Sequence, residues 1–225
     1  MRAFIFANGI IKHLPEPEAV IMPDDLLIAA DGGASHFKAL GILPNVLIGD
    51  LDSIRSDDLN ELRTAGAEII QHPSGKDQTD LELALDLAVD RGAEEILVFG
   101  ALGARWDMSI ANIMLLTAPE FAGVMLKFIE ENQEITLLRG GEKQTFHGKK
   151  GDVLSLIPMG QDAVGITLKG LEYPLKDDAL RFGATRGISN VLVENTATVY
   201  LKHGLLLCVH ISLLGKIEKS DRITG

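Results

Sequence analysis

Four short acidic clusters carry the chemistry that this sequence can offer: Asp31-Gly32-Gly33, Asp50-Leu51-Asp52, Asp77-Gln78-Thr79-Asp80 and Arg105-Trp106-Asp107. Three of them follow apolar runs of strand type. Leu27-Ile28-Ala29-Ala30 leads into Asp31, Val46-Leu47-Ile48-Gly49 into Asp50, and Ile96 to Gly100 into the loop with Arg105 and Asp107. In open α/β sheets, ligands bind beyond the carboxyl ends of the strands. Carboxylates gathered there repel one another unless a cation joins them, and hard cations such as Mg²⁺ take oxygen ligands. The pattern points to metal-assisted phosphate chemistry.

Each cluster also has a plainer reading. Asp31-Gly32-Gly33 can be a strand-to-helix turn, since glycines supply positive φ and Asp caps helices. Asp50 and Asp52 alternate, and on extended backbone both would point to one side and face one metal. Asp80 suits the first turn of a helix, where the dipole favours a carboxylate, but that does not account for Lys76, Asp77 and Gln78 just before it. Arg105 can clamp a phosphate bidentately or simply pair with Asp107. Trp106 reads as a packing residue. The six His are scattered without zinc-ligand spacing, there is no P-loop motif, and Ser155 and Ser189 lack a nucleophile-elbow context.

The elements that must position these residues alternate through the first part of the chain. Strands are expected at Ala3–Ala7, Leu27–Ala30, Val46–Gly49, Glu68–Gln71, Ile96–Gly100 and Val124–Glu130. Helices are expected at Ala34–Leu40, Asp57–Ala65, from Thr79 to Gly92, and Ser109–Leu116. Thr79-Asp80-Leu81-Glu82 fits a capping box. Such alternation implies βαβ units and a mainly parallel sheet. From Glu134 onward, short apolar runs (135–138, 153–157, 165–168, 191–193, 198–201 and 205–211) are separated by Gly, Asn, Asp and Pro, the spacing of an antiparallel sandwich or barrel. The expected architecture is an α/β domain over 1–131 and an all-β sandwich domain over 132–225, with a polar tail at Gly215–Gly225.

At 225 residues the chain can bury a substantial core. Its net charge of -11, from 32 acids against 21 bases, argues against a nucleic-acid backbone as partner but not against a nucleotide. The run Leu205 to Leu214 is far shorter than the roughly 20 residues that a bilayer requires. Met1 to Ile11 makes a poor signal peptide. The single Cys208, in an apolar run, is expected to be buried and inert. Together these point to a cytoplasmic protein that does not engage a membrane.

Taken in order, Ala7-Asn8-Gly9, Ala30 to Ala34, Ile48 to Ser53, Lys76 to Asp80, Gly100 to Asp107 with Ala111-Asn112, and Gly187-Ile188-Ser189-Asn190 resemble the thiamin pyrophosphokinase family. The resemblance covers nearly the whole chain. It implies an α/β catalytic domain, a β-sandwich domain and a homodimer whose substrate sites are shared between subunits. It implies Mg²⁺-dependent transfer of pyrophosphate from ATP to the thiamin hydroxyl, giving thiamin diphosphate and AMP. On this resemblance Asp50, Asp52 and Asp80 hold Mg²⁺ and, with Arg105 and Asp107, form the catalytic set. Asn8, Asp31, Gly32, Gly33, Lys76, Asp77, Gln78 and Thr79 contact ATP, and Ser189 and Asn190 hold thiamin. Asp80 and Asp107 are the candidate proton acceptors. Two positions depart from the family pattern: Met108 stands where a His is usual, and Gly103-Ala104 where Gly-Gly is commoner. A pyrophosphokinase for another alcohol, such as a pterin, and a non-catalytic thiamin or nucleotide sensor are the alternatives.

Overall fold

Runs of four or five apolar residues bounded by Gly, Asn or charge make the strands that the site depends on. The computed structural model of the protein describes residues 1–12, 20–103 and 105–213. The expected polar tail over 215–225 lies outside the described residues, as does Ala104. The described residues form two compact units, 1–131 and 132–213.

The first unit is built on strands β1 (Arg2–Phe6), β2 (Leu26–Ala30), β3 (Val46–Gly49), β4 (Glu68–Gln71), β5 (Glu95–Phe99) and β6 (Met125–Glu130). They run in the order β6-β5-β1-β2-β3-β4, and every pairing is parallel. All six carboxyl ends therefore lie along one edge. The chain steps outward from β1 to β4 and then returns to the far side of β1, so the order reverses between β1 and β5. Such a reversal is where open α/β sheets form their binding crevices. Val46 to Ile48 and Ala3 to Phe6 are almost wholly buried, as expected of parallel strands covered on both faces.

Helices α1 (Ala34–Leu40), α2 (Ser56–Thr64), α3 (Asp80–Asp90) and α4 (Trp106–Leu115) connect the strands. Phe6 stacks on Phe99 with ring centroids 5.0 Å apart and meets Phe37 of α1 edge-on at 4.8 Å. These ring contacts seat α1 on β1 and β5. Thr79 caps α3 as the pattern predicts, its Oγ1 accepting the Glu82 N–H at 3.2 Å, while the Glu82 carboxylate accepts from Gln78 rather than closing the box; α3 buries Leu81, Ala84, Leu85 and Ala88. α4 starts at Trp106, earlier than the expected Ser109, which puts Asp107 in its first turn.

The second unit contains β7 (Gln133–Arg139), β8 (Lys143–His147), β9 (Val153–Pro158), β10 (Ala163–Lys169), β11 (Asp178–Leu180), β12 (Asn190–Val191), β13 (Thr196–Tyr200) and β14 (Leu205–Ile211). β12-β9-β14-β7 and β11-β10-β13-β8 are antiparallel layers. Leu138, Phe146, Leu154, Leu156, Ile166, Leu168, Val199, Leu206 and Cys208 share one core. The α/β and all-β classes read from the sequence are both present. β8 and β11 had no apolar run to announce them, since Lys143–His147 turns only Phe146 inward and β11 has three residues.

Cys208 is completely buried, and that burial pushes its thiol pKa up. Native protein at pH 8 is expected to resist a thiol-reactive chromogen and to react stoichiometrically once unfolded in guanidinium. Rapid labelling of folded protein would contradict this packing.

Candidate active site

Asp31 follows β2 in a short 3₁₀ turn, Asp31–Gly33, with φ 47°. Asp50 and Asp52 follow β3, and Leu51 between them has φ 64° with its side chain buried. The segment is therefore not the extended backbone expected from its alternation. The two carboxylates converge because Leu51 turns left-handed into the core, and the Asp52 N–H donates to Asp50 Oδ1 at 3.2 Å. Carboxylate oxygens of Asp31, Asp50 and Asp52 lie within 4.8 Å of one another. That is close to the roughly 4.2 Å between opposite ligands of a Mg²⁺ octahedron.

Asp31 is 6% exposed. Its Oδ2 accepts the Ser53 hydroxyl at 2.7 Å, while Oδ1 is buried with no hydrogen-bond partner among the described residues. A buried carboxylate oxygen left unpaired is costly, and a cation would satisfy it. Asp80 approaches from α3. A Cβ added at Gly49 would stand 3.0 Å from Asp80 Oδ1 and 3.1 Å from Asp31 Cβ, so these two acids flank β3 closely only because residue 49 has no side chain.

Lys76 completes this group. Its Nζ lies 2.8 Å from Asp80 Oδ1 and 3.9 Å from Asp50 Oδ2, with the side chain only 14% exposed. Burial opposes its charge, but the Asp80 hydrogen bond and the fields of Asp80, Asp50 and Asp31 outweigh burial and raise its pKa. The Asp52 N–H, and then Lys76, hold Asp50 below the usual carboxylate range despite some desolvation.

The neighbouring loops approach too closely for side chains. A Cβ at Gly33 would stand 1.9 Å from Phe6 O, one at Gly32 2.2 Å from Asn8 Oδ1, and one at Gly9 2.2 Å from Gly100 O. The Ala7 N–H donates to Phe99 O and the Gly9 N–H to Gly100 O, both at 2.8 Å, tying these loops across β1 and β5. His36 Nε2 donates to Gly9 O at 2.9 Å. α4 holds the next loop with a polar underside: Ser109 accepts from the Gly103 N–H and donates to Arg105 O, and Asn112 donates to Ala101 O.

Arg105 pairs with Asp107 through two hydrogen bonds. That bond, helped by the Met108 N–H, holds the Asp107 carboxyl at about 2. Trp106 does not pack as expected. It is 82% exposed, because Ser109 and Asn112 occupy the inward face of α4.

The remaining expected residues divide. Thr79 is occupied as the α3 cap, and Gln78 donates to Glu82 and Asp86, away from the acids. Asp77 is exposed. In the second unit, Ser189 has φ 60° and its N–H donates to Ser155 Oγ at 3.0 Å. The Asn190 amide spends both ends on one neighbour: Oδ1 accepts the Tyr173 N–H at 3.0 Å and Nδ2 donates to Tyr173 O at 2.8 Å. Asn190 thus positions Tyr173, a residue 63% exposed. Asp31 as a partner of Asp50 and Asp52, Ser53 as its donor, and Tyr173 are contributions that sequence reading missed. Five non-Gly residues among those described have positive φ, and three of them (Asp31, Leu51, Ser189) lie in these loops. Backbone strain of this kind collects at functional sites.

Residues 18–128 match the family profile "Thiamin pyrophosphokinase, catalytic domain", and residues 142–206 match "Thiamin pyrophosphokinase, vitamin B1 binding domain". Thiamine pyrophosphokinase of Bacillus subtilis is 30% identical over 205 residues, covering 91% of this chain and 96% of that protein. The chain belongs to the thiamin pyrophosphokinase family. The crystal structure of the Bacillus subtilis enzyme superimposes with a TM-score of 0.85 at 28% identity, covering 95% of this chain and 100% of that one. The structure of thiamin pyrophosphokinase from Geobacillus thermodenitrificans does so at 0.82 and 28%, covering 94% and 98%.

Against the usual thiamin pyrophosphokinase pattern, Met108 sits half-buried in the first turn of α4. A thioether carries no titratable proton at this position. The Asp107 carboxyl is expected to titrate near 2 by carbon-detected NMR. Since its pKa is depressed by pairing, the stabilisation is present above the ordinary value of about 3.9 and is lost as pH falls through about 2. Arg105→Gln should return the midpoint toward the ordinary value, and an unchanged midpoint would contradict the pairing.

Proposed function

We propose that this chain transfers pyrophosphate from ATP to the hydroxyl of thiamin, releasing AMP and thiamin diphosphate. The observation that carries this reading is the carboxylate group at the strand ends, Asp31, Asp50 and Asp52 with Asp80 adjacent, in a chain of the thiamin pyrophosphokinase family. The hydroxyl oxygen attacks the β-phosphorus, and the bond from that phosphorus to the α,β-bridging oxygen breaks, the oxygen leaving as part of AMP. Such transfers depend on positioning in line and on neutralising charge more than on covalent help from the protein.

Mg²⁺ suits this donor set, because the unpaired Asp31 Oδ1 faces hard oxygen ligands. Asp31, Asp50 and Asp52 would hold it, with Asp80 beside them, and the ion would supply charge neutralisation of the phosphates. Asn8, Gly32 and Gly33 present backbone at close approach on the nucleotide side, and Lys76 and Arg105 offer cationic donors. Asp107, held at about 2 by Arg105, is too weak a base to take the hydroxyl proton efficiently near neutral pH. Asp80 is the other carboxylate candidate for that proton. In the thiamin-binding unit, over 132–225, Asn190 acts by fixing Tyr173 and Ser189 lies next to it.

The protein acts as a homodimer with shared sites. Support comes from α4, which turns Trp106, Ile110 and Met114 outward at 82%, 54% and 50% exposure, a stripe with four-residue spacing. The chain works in the cytoplasm, and no helix of the described residues is long and apolar enough to cross a membrane.

Phosphorus NMR of the protein with ATP, Mg²⁺ and thiamin should show thiamin-dependent AMP and thiamin diphosphate. ADP in place of AMP would refute the transfer. Asp50→Asn and Asp80→Asn should each lower kcat at least about a hundredfold, on the scale of lost electrostatic stabilisation, with unchanged circular dichroism. Light scattering should give twice the chain mass, and Ile110→Asp should shift it toward one.

A further inference from the structure

Among the described residues the Asp31, Asp50, Asp52 and Asp80 carboxylates share one counter-charge, and its placement has a consequence for how a cation enters. Lys76 Nζ touches Asp80 at 2.8 Å and reaches Asp50 at 3.9 Å. Asp50 and Asp80 are themselves 16% and 27% exposed, so solvent screens this group only in part. Lys76 stands on the loop 72–79, between the end of β4 and the Thr79 cap, whereas Asp80 is fixed in the first turn of α3. An ammonium on a four-carbon stem can leave such a pair without moving the helix.

We propose that Lys76 is a built-in counter-ion that keeps divalent metal from binding tightly until nucleotide arrives. The inference rests on the functional reading above. With no nucleotide, Lys76 occupies the charge that a dication would neutralise and opposes its entry. ATP brings both the metal and the phosphate oxygens on which the displaced ammonium can donate, so metal and nucleotide enter together. The free protein is thereby spared a tightly held metal ion, and its carboxylates are spared mutual repulsion. Asp31 Oδ1, which Lys76 leaves without a partner, is the position that remains open to the incoming ion.

The test is Mn²⁺ binding without nucleotide, followed by electron paramagnetic resonance of free Mn²⁺. Lys76→Met and Lys76→Gln should bind the ion about tenfold more tightly than the parent protein, the scale of one unit charge near a dication at a partly solvated site. Lys76→Arg, which keeps the charge, should stay near the parent value. The gain should vanish when Asp50→Asn is added to Lys76→Met. A second readout covers loss of fold: the melting temperature of Lys76→Met should fall below the parent without metal and recover on adding Mn²⁺. Equal or weaker Mn²⁺ affinity in Lys76→Met and Lys76→Gln overturns the proposal, as does a gain that survives Asp50→Asn. Failure of the functional reading is separable, since it shows as parent protein that makes no AMP from ATP and thiamin.

Discussion

Like charges crowded at the end of a sheet must be balanced or held apart by force, and much of the first unit exists to do one or the other. Gly49 removes the side chain that would part Asp31 from Asp80. Leu51 accepts a left-handed backbone so that Asp50 and Asp52 face the same point. Ser53 and the Asp52 N–H donate to the acids, and Lys76 supplies the one nearby cation among the described residues. Parallel strands make the arrangement possible, because every carboxyl end opens on the same edge. The buried apolar body of β1, β2 and β3 makes it rigid.

Most strands of the first unit were legible because their apolar runs are short, bounded and buried, and the helix from Asp80 because the Thr79 cap is a local signal. The identity of the acids was legible too, since carboxylates after strands have few structural uses in such number. Their grouping was not. Nothing in Asp50-Leu51-Asp52 announces that a Leu will take positive φ, and no local pattern brings Asp31 across from β2. Gln78 read as a nucleotide contact but turns to Glu82 and Asp86, whose i+4 and i+8 positions on α3 offered it partners. Where side chains choose between local and distant partners, single-sequence patterns have no purchase.

The second unit follows a different logic. Its strands alternate, its core lies between two layers, and its candidate residues are set by turns. Asn190 was legible as special but not for what it does. Its amide reproduces, with one side chain, the two hydrogen bonds that a neighbouring strand would make to Tyr173. Such a residue acts on a ligand only by holding another group in place, so its loss and the loss of the group it holds would look alike in a binding assay.

The position of Trp106 has an optical consequence. It is the chain's single tryptophan, it is 82% exposed, and it stands between Arg105 and Asp107 at the start of α4. All indole emission therefore arises from one solvated ring beside the loop that follows β5, and none from either hydrophobic core. In the single protomer the intrinsic fluorescence is a local probe of that loop rather than of either core, and in the proposed dimer the same ring would report whether the α4 stripe is covered.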